Sequence, residues 1–277
     1  MSYGDGMTNH IDIFQLVPIF LKDGKTVALC TITKKTGSGQ AKIGTRILVT
    51  EDAKMFGHFG TPAIGTIGGG ELERAVMKEA LKAIKEGKSK SLKFSLSEKA
   101  RGDELKTGLW CGGTMTIFMD VIEPKPELLI VGSGHVALQI YKIAELLGFN
   151  VTVIDDTKKT LTKSRFPRAK IIYNKSFRKA LGTVKTGANT YIAIVHGEPK
   201  HDLAAMRRFV KEKTAYLGLL GSANKIAKLG EILRKDGVPT KSIDRIHAPI
   251  GLGINARTPE EIAVSIAAEL IKERRKA

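Results

Sequence analysis

Cysteine is scarce in this chain: two residues, Cys30 and Cys111, among 277. They stand too far apart for a CxxC redox or metal pair, and two do not make a disulfide framework. Aromatic residues make up only 6% of the sequence and almost none interleave with the basic residues. Long apolar runs are missing, as is a signal peptide, so the expectation is a soluble cytoplasmic protein with no membrane partner. Acidic residues are few beside basic ones, 28 Asp and Glu against 45 Lys and Arg, a net charge of +17. Such an excess favours anionic partners. The lysines are nonetheless scattered, as at Lys78, Lys82, Lys85 and Lys88, which is the pattern of a solvated surface, and lysine enrichment also accompanies thermophily. No nucleic-acid partner is expected from it.

What is there is a glycine turn in the right company. Leu128 to Val131 is an uninterrupted apolar run, as in a parallel strand covered on both faces. Gly132-Ser133-Gly134-His135-Val136-Ala137 follows. In such a fingerprint the first glycine makes the turn, the second lets backbone approach a pyrophosphate, and a small third residue lets helix pack on strand. A helix is expected from Val136 to Leu147, stopped by Gly148, then a strand from Val151 to Ile154. Asp155 closes that strand, where an acid would bond a ribose hydroxyl. The residues therefore point to a nucleotide-type ligand.

Glu123-Pro124-Lys125-Pro126-Glu127 is a proline-bracketed polar link, and it divides the chain into domains 1–123 and 124–277. Behind it strands are expected at 169–173, 191–195 and 215–220, and helices at 201–213, 222–235 and 259–274. Such alternation implies a Rossmann-like, doubly wound parallel sheet. In an open parallel sheet the crevice lies at the carboxyl ends of the strands. That rule nominates His196, Gly221 and Ser222 beside Gly132, Gly134 and Asp155, and Lys225 with them. His135 either touches the ligand or bonds backbone, and Asp202 either orients a ligand or caps a turn. His10, His58, His201 and His247 read as surface or structural residues. No metal site made of protein ligands alone is expected.

The first domain reads as a smaller α+β unit. A short apolar helix at 11–21, strands at 27–33 and 46–50, a helix at 72–84 and a strand at 114–121 are its predicted elements. Gly68, Gly69 and Gly70 run straight into the 72–84 helix. Three glycines there either present backbone N–H groups to an anion or serve a helix start with unusual backbone angles. Cys111, in Trp110-Cys111-Gly112-Gly113, sits at a strand entrance and is accessible to a ligand, whereas Cys30 lies in an apolar run and reads as core. The segment 51–63 suggests nothing beyond a mobile flap.

The segments GTIGGGELE, CGG, LLIVGSGHVALQI with VTVIDD, AYLGLLGSANK and the terminal API-GLGINARTPEEIAVSIAAEL resemble the XdhC/CoxI family of accessory proteins for molybdenum hydroxylases. The resemblance runs from about Val27 to Leu270. It implies a binding and delivery role: taking up the molybdenum cofactor, in some systems as its cytidine dinucleotide, supporting its sulfuration, and inserting it into an apo-hydroxylase of the xanthine dehydrogenase or carbon monoxide dehydrogenase type. A cysteine desulfurase partner and a homodimer belong to the same expectation. Cys111 is then the one candidate for sulfur chemistry, since Glu71 stands where some members carry cysteine. Residues 37–40 also depart from the family's common Gly-Ser-x-Pro-Arg. The alternative from the fingerprint alone is an NAD(P)-dependent oxidoreductase, which Asp155 would bias toward NAD, with Lys158, Lys159 and Arg165 able to accommodate an extra phosphate.

Overall fold

The computed structural model describes residues 13–37, 41–57, 67, 70–98, 100–110 and 112–276. Two compact units divide at Pro124/Lys125, inside the proline-bracketed link. In unit 1 the elements are α1 (Ile13–Lys22), β1 (Val27–Lys35), β2 (Arg46–Thr50), β3 (Met55–Phe56), α2 (Gly70–Glu86), β4 (Lys90–Ser95), β5 (Leu105–Lys106) and β6 (Thr114–Ile122). They form a six-stranded sheet in the order β3-β2-β1-β6-β4-β5. Side-chain alternation explains how both faces of β1 are used. Ala28, Cys30 and Ile32 pack with Leu72, Val76 and Ala80 of α2, a one-turn spacing that keeps those three on one helix face. Val27 and Leu29 pack on the other side with Ile13 and Leu16 of α1. The 51–63 segment is not simply a flap, because Met55 and Phe56 form β3 and pair with Val49 and Leu48. Its residues 58–63 lie outside the described residues.

Unit 2 comprises β7 (Glu127–Val131), α3 (His135–Leu146), β8 (Asn150–Asp155), β9 (Lys170–Tyr173), α4 (Phe177–Gly182), β10 (Thr190–Ile194), α5 (Pro199–Phe209), β11 (Tyr216–Leu219), α6 (Ala223–Lys235), α7 (Thr240–Asp244) and α8 (Pro259–Arg274). Its five strands are all parallel, in the order β11-β10-β7-β8-β9. Alternate residues of β7 serve opposite layers. Leu128 and Ile130 join a core with Ala137, Ile140 and Ala144 of α3 and Ile266 of α8. Leu129 and Val131 join one with Met206 and Phe209 of α5 and Leu229 and Leu233 of α6. The sheet is thus doubly wound, as the alternating pattern implied. The chain leaves β7 for one flank and β10 for the other, so the order reverses between them. That reversal is where an open α/β sheet leaves a crevice.

The terminal block is pinned internally. Thr258 caps α8 in a reciprocal capping box with Glu261, an arrangement whose hydroxyl is worth about 1 kcal/mol. Glu269, on the same helix, accepts from Tyr216 Oη at 2.5 Å, Gly251 N at 2.7 Å and His247 Nδ1 at 2.9 Å. A Cβ on Gly218 would fall 2.5 Å from Ile250 Cδ1. Packing within unit 2 therefore accounts for much of the distinctive sequence around residues 216–218 and 247–251. Among the described residues no helix is long and apolar enough to cross a membrane.

Candidate functional site

The site is built around the turn after β7. Gly132 has φ +111°, and a Cβ there would lie 2.6 Å from His196 Cα and 2.8 Å from its N. The turns that follow β7 and β10 therefore touch, and only glycine lets them do so. Gly134 is the N-cap of α3, with no side-chain cap on that terminus and no atom within 4 Å of the position of its missing Cβ. The first N–H groups of α3, at the positive end of its dipole, thus lie beneath an unencumbered surface suited to an anion. His135, exposed in the first turn of α3, stands at the same mouth.

Beneath the turn lies Asp155, 4% exposed. Its Oδ2 accepts from Ser133 N at 2.6 Å and Ser133 Oγ at 2.7 Å, and its Oδ1 from Asp156 N at 2.7 Å and Thr157 N at 3.0 Å. Burial opposes the charge, but the neighbouring His196 ring and the Ser133 donors outweigh it and hold the carboxyl well below the usual carboxylate range. The carboxylate is engaged with its own glycine turn, and a ribose hydroxyl reaching it would have to replace one of these donors. Arg165 is similarly committed: Nη1 donates to Ser133 O and Thr160 O, each at 2.9 Å, and Nη2 to Gly134 O at 3.2 Å. Rather than standing free for a second phosphate, it clasps the outside of the turn.

Across the mouth, His196 follows β10 with its side chain 8% exposed. Its Nε2 lies 3.5 Å from Asp155 Oδ1 and 3.8 Å from Asp156 Oδ1, distances of ion pairing rather than of aligned hydrogen bonds, and neither ring nitrogen has a hydrogen-bond partner. Burial pulls its proton affinity down, yet the surrounding carboxylates, Asp155 first, raise it overall. Stacked on it is His201, from the first turn of α5, with ring centroids 4.2 Å apart and planes 12° off parallel. His201 Nε2 meets Asp156 Oδ2 at 2.9 Å. Phe177 closes against both rings edge-on, at 5.3 and 4.6 Å between centroids.

The remaining crevice residues serve the frame. Lys225 Nζ is bound to the Asp202 carboxylate, to Gly197 O at 3.1 Å and to Leu220 O at 3.3 Å. It thereby ties the end of β10 to that of β11. Asp202 is fully buried, and its other oxygen has no hydrogen-bond partner. Ser222 caps α6 by accepting from Lys225 N, and Gly221 packs against the Lys225 stem. In unit 1, Gly70 opens α2, and its carbonyl accepts from Arg74 Nε at 3.2 Å. Gly68, Gly69 and Cys111 lie outside the described residues, as do His10 and His58. The two glycines after Cys111 have an internal reason: a Cβ on Gly113 would lie 2.2 Å from Thr36 O, while one on Gly37 would lie 2.4 Å from Gly112 O. Nearby, Ser95, Ser97, Glu98, Arg101, Glu104 and Trp110 line a cavity of about 650 Å³. Trp110 is 83% exposed there.

Sequence reasoning missed the cluster formed by Asp156, His196 and His201, having set His201 aside as a surface or structural residue and expected no protein-only metal ligands. One ligand atom from each of the three residues lies within 4.8 Å of the others. The available signal was the spacing His196-Gly-Glu-Pro-Lys-His201 after a strand. Pro199 at the first helical position begins α5 soon enough to fold the second imidazole back onto the first.

A parallel sheet of this order, with a glycine turn and an open helix N-terminus at its switch point, defines a Rossmann-type fold carrying a second α+β unit. The family follows from comparison with known proteins. The model of the XdhC Rossmann domain matches residues 128–270 and that of the XdhC and CoxI family matches residues 20–95, and the chain belongs to this family. It is 34% identical over 215 residues to the uncharacterized protein YqeB of Escherichia coli (strain K12), covering 77% of this chain and 39% of that one. It is 31% identical over 163 residues to a probable xanthine dehydrogenase subunit of Bacillus subtilis (strain 168), covering 59% of this chain and 47% of the relative. The matched region thus spans less than half of each of these relatives. A solved structure described as a xanthine dehydrogenase from Bacillus halodurans shares the fold over 96% of both chains, with a TM-score of 0.51 at 20% identity.

Proposed function

We propose that this protein binds the molybdenum cofactor as cargo and hands it to an apo-hydroxylase of the xanthine dehydrogenase type. Family membership supports the class of role. The observation that carries the binding claim is the open, uncapped N-terminus of α3 at Gly134, where a phosphate of the cofactor, or the diphosphate of its cytidine dinucleotide form, would accept backbone N–H groups. Gly132 keeps the two turns together, and Asp155 positions the turn from below through Ser133 rather than contacting the sugar. His135, His196, Gly221 and Ser222 border the same mouth. In unit 1, Gly68, Gly69 and Gly70 would offer backbone donors at the start of α2, and Cys111 would offer its thiolate as a soft ligand or sulfur carrier. A cysteine desulfurase would supply that sulfur, and the working assembly would be a homodimer in the cytoplasm.

The test is to purify the protein from cells making molybdenum cofactor and assay released pterin and molybdenum. Near-stoichiometric pterin is expected, and Gly134→Leu, which fills the space above α3, lowers it at least about tenfold at unchanged helix content. Stoichiometric NAD(P) with no pterin overturns the reading in favour of an oxidoreductase.

A further inference from the structure

We infer that Asp156, His196 and His201 form a binding site for a divalent first-row transition metal ion, held by two imidazoles and one carboxylate. The argument starts from what the cluster leaves unmet. The His196 side chain is only 8% exposed, and neither of its ring nitrogens has a hydrogen-bond partner. Burying a polar group without a partner is unfavourable, so two such nitrogens on one ring need a reason. His201 lies parallel to it at 4.2 Å, an arrangement in which two imidazolium charges would repel. Neutral rings remove the repulsion but still leave His196 without partners. A shared cation removes the repulsion and gives His196 Nε2 a partner, because imidazole nitrogen and carboxylate oxygen are both good ligands for Zn²⁺ and its neighbours.

Geometry points the same way. The Nε2 atoms of both histidines face Asp156, at 2.9 Å for His201 to Oδ2 and 3.8 Å for His196 to Oδ1. Metal–nitrogen and metal–oxygen bonds of about 2.0–2.2 Å place ligand atoms roughly 3.0–3.5 Å apart around one ion. The spread within 4.8 Å is wider than that, and the two rings, 12° off parallel, would turn toward a common point for their Nε2 lone pairs to converge on the ion. His201 also carries the outer support usual for a metal-bound histidine: Glu198 Oε2 lies 2.9 Å from its Nδ1, close enough for an ion pair though not aligned as a hydrogen bond. Turned into line, that carboxylate would accept from Nδ1–H and fix the tautomer that leaves Nε2 as the ligand. Asp155 Oδ1, 3.5 Å from His196 Nε2, is already committed to the backbone beneath and stays outside the set. Three protein ligands leave at least one coordination position for water or an oxygen anion.

This site shares His196 with the mouth described above but does not rest on the cargo reading, and it is tested without the cofactor. The full-length, chelator-treated protein is titrated with Co²⁺ as a probe of visible d–d absorption, then with Zn²⁺ in competition. One Co²⁺ per chain, displaced by Zn²⁺, is expected. His201→Ala and the near-isosteric Asp156→Asn should each weaken binding at least about tenfold, and Glu198→Gln should weaken it in the same direction, since outer-shell partners are worth about 10–100-fold. Asp156→Asn keeps the test decisive if His201→Ala folds poorly, with circular dichroism reporting which does. No stoichiometric Co²⁺ binding, or binding that none of the three substitutions changes, overturns the proposal.

Discussion

Two clusters in unit 2 join histidine to carboxylate, one around buried Glu269 and one around half-buried Asp156, His196 and His201, and they are built on opposite principles. At Glu269 both carboxylate oxygens are used: one by Tyr216 and Gly251, the other by His247. At Asp156, His196 and His201, ring nitrogens are left without hydrogen bonds. The first cluster locks α8 and the 247–251 loop onto β11 and answers its own polar needs. The second, in the mouth where the sheet order reverses, does not. A protein tolerates unmet polar atoms mainly where something else is to meet them, so the contrast sets a self-satisfied stabilising network against the metal site inferred above.

Breaking the closed network should give the largest effect. Glu269→Ala removes the acceptor of three buried or half-buried donors at once, and on the order of 3–5 kcal/mol of stability should be lost, read as a lowered midpoint in urea. The pH dependence sharpens the same point. Burial raises the Glu269 carboxyl, but hydrogen bonds from Tyr216, Gly251 and His247 outweigh it and hold it below the ordinary range. A carboxyl depressed in the folded state contributes stability above its unfolded value, about 4.3, and loses it as pH falls through the folded value. The wild type should therefore lose melting temperature more steeply than Glu269→Gln as pH drops below about 4.3. Parallel acid slopes for the two proteins would show that Glu269 is not held down by its donors.

The glycines of the turn divide in the same manner. Gly132→Ala combines a positive φ with a Cβ 2.6 Å from the His196 backbone, so about 2–4 kcal/mol should be lost. Gly134→Ala meets open space and should stay within about 0.5 kcal/mol of wild type. Equal losses for the two would mean that the turns after β7 and β10 do not touch as described.

How far the sequence carries depends on how local each feature is. The GSGHVA turn, α3 and the Asp155 position are consecutive in the chain, and hydrophobic period plus glycine chemistry reveal them. The alternation of strands and helices likewise makes the doubly wound sheet legible, and Thr258-Pro259 marks the start of α8. The metal-type cluster is different. Asp156 follows β8 and His196 follows β10, and these strands are not neighbours: β7 lies between them. The two ends meet over β7 only because Gly132 has no side chain, which is a property of the packed sheet and not of any segment. For the same reason Asp155 looked like a free ribose ligand, although the Ser133 N–H and hydroxyl fold back onto it. Short strands such as β3 and β5 lack enough residues to show a period.

The most discriminating prediction concerns His201. His201→Ala in metal-free protein deletes a ring that stacks on His196 and packs on Phe177, which alone would cost stability. It also relieves two crowded imidazoles and releases the Asp156 carboxylate to water, which offsets that loss. The net change should be under about 1 kcal/mol, far below that of Glu269→Ala, although both residues lie in His–carboxylate clusters. Saturating Zn²⁺ should then separate the proteins: wild type gains melting temperature in proportion to RT ln(1 + [L]/Kd), and His201→Ala gains little. A loss of several kcal/mol in the metal-free variant would place His201 with the closed network at Glu269, and the distinction between the two clusters would fall.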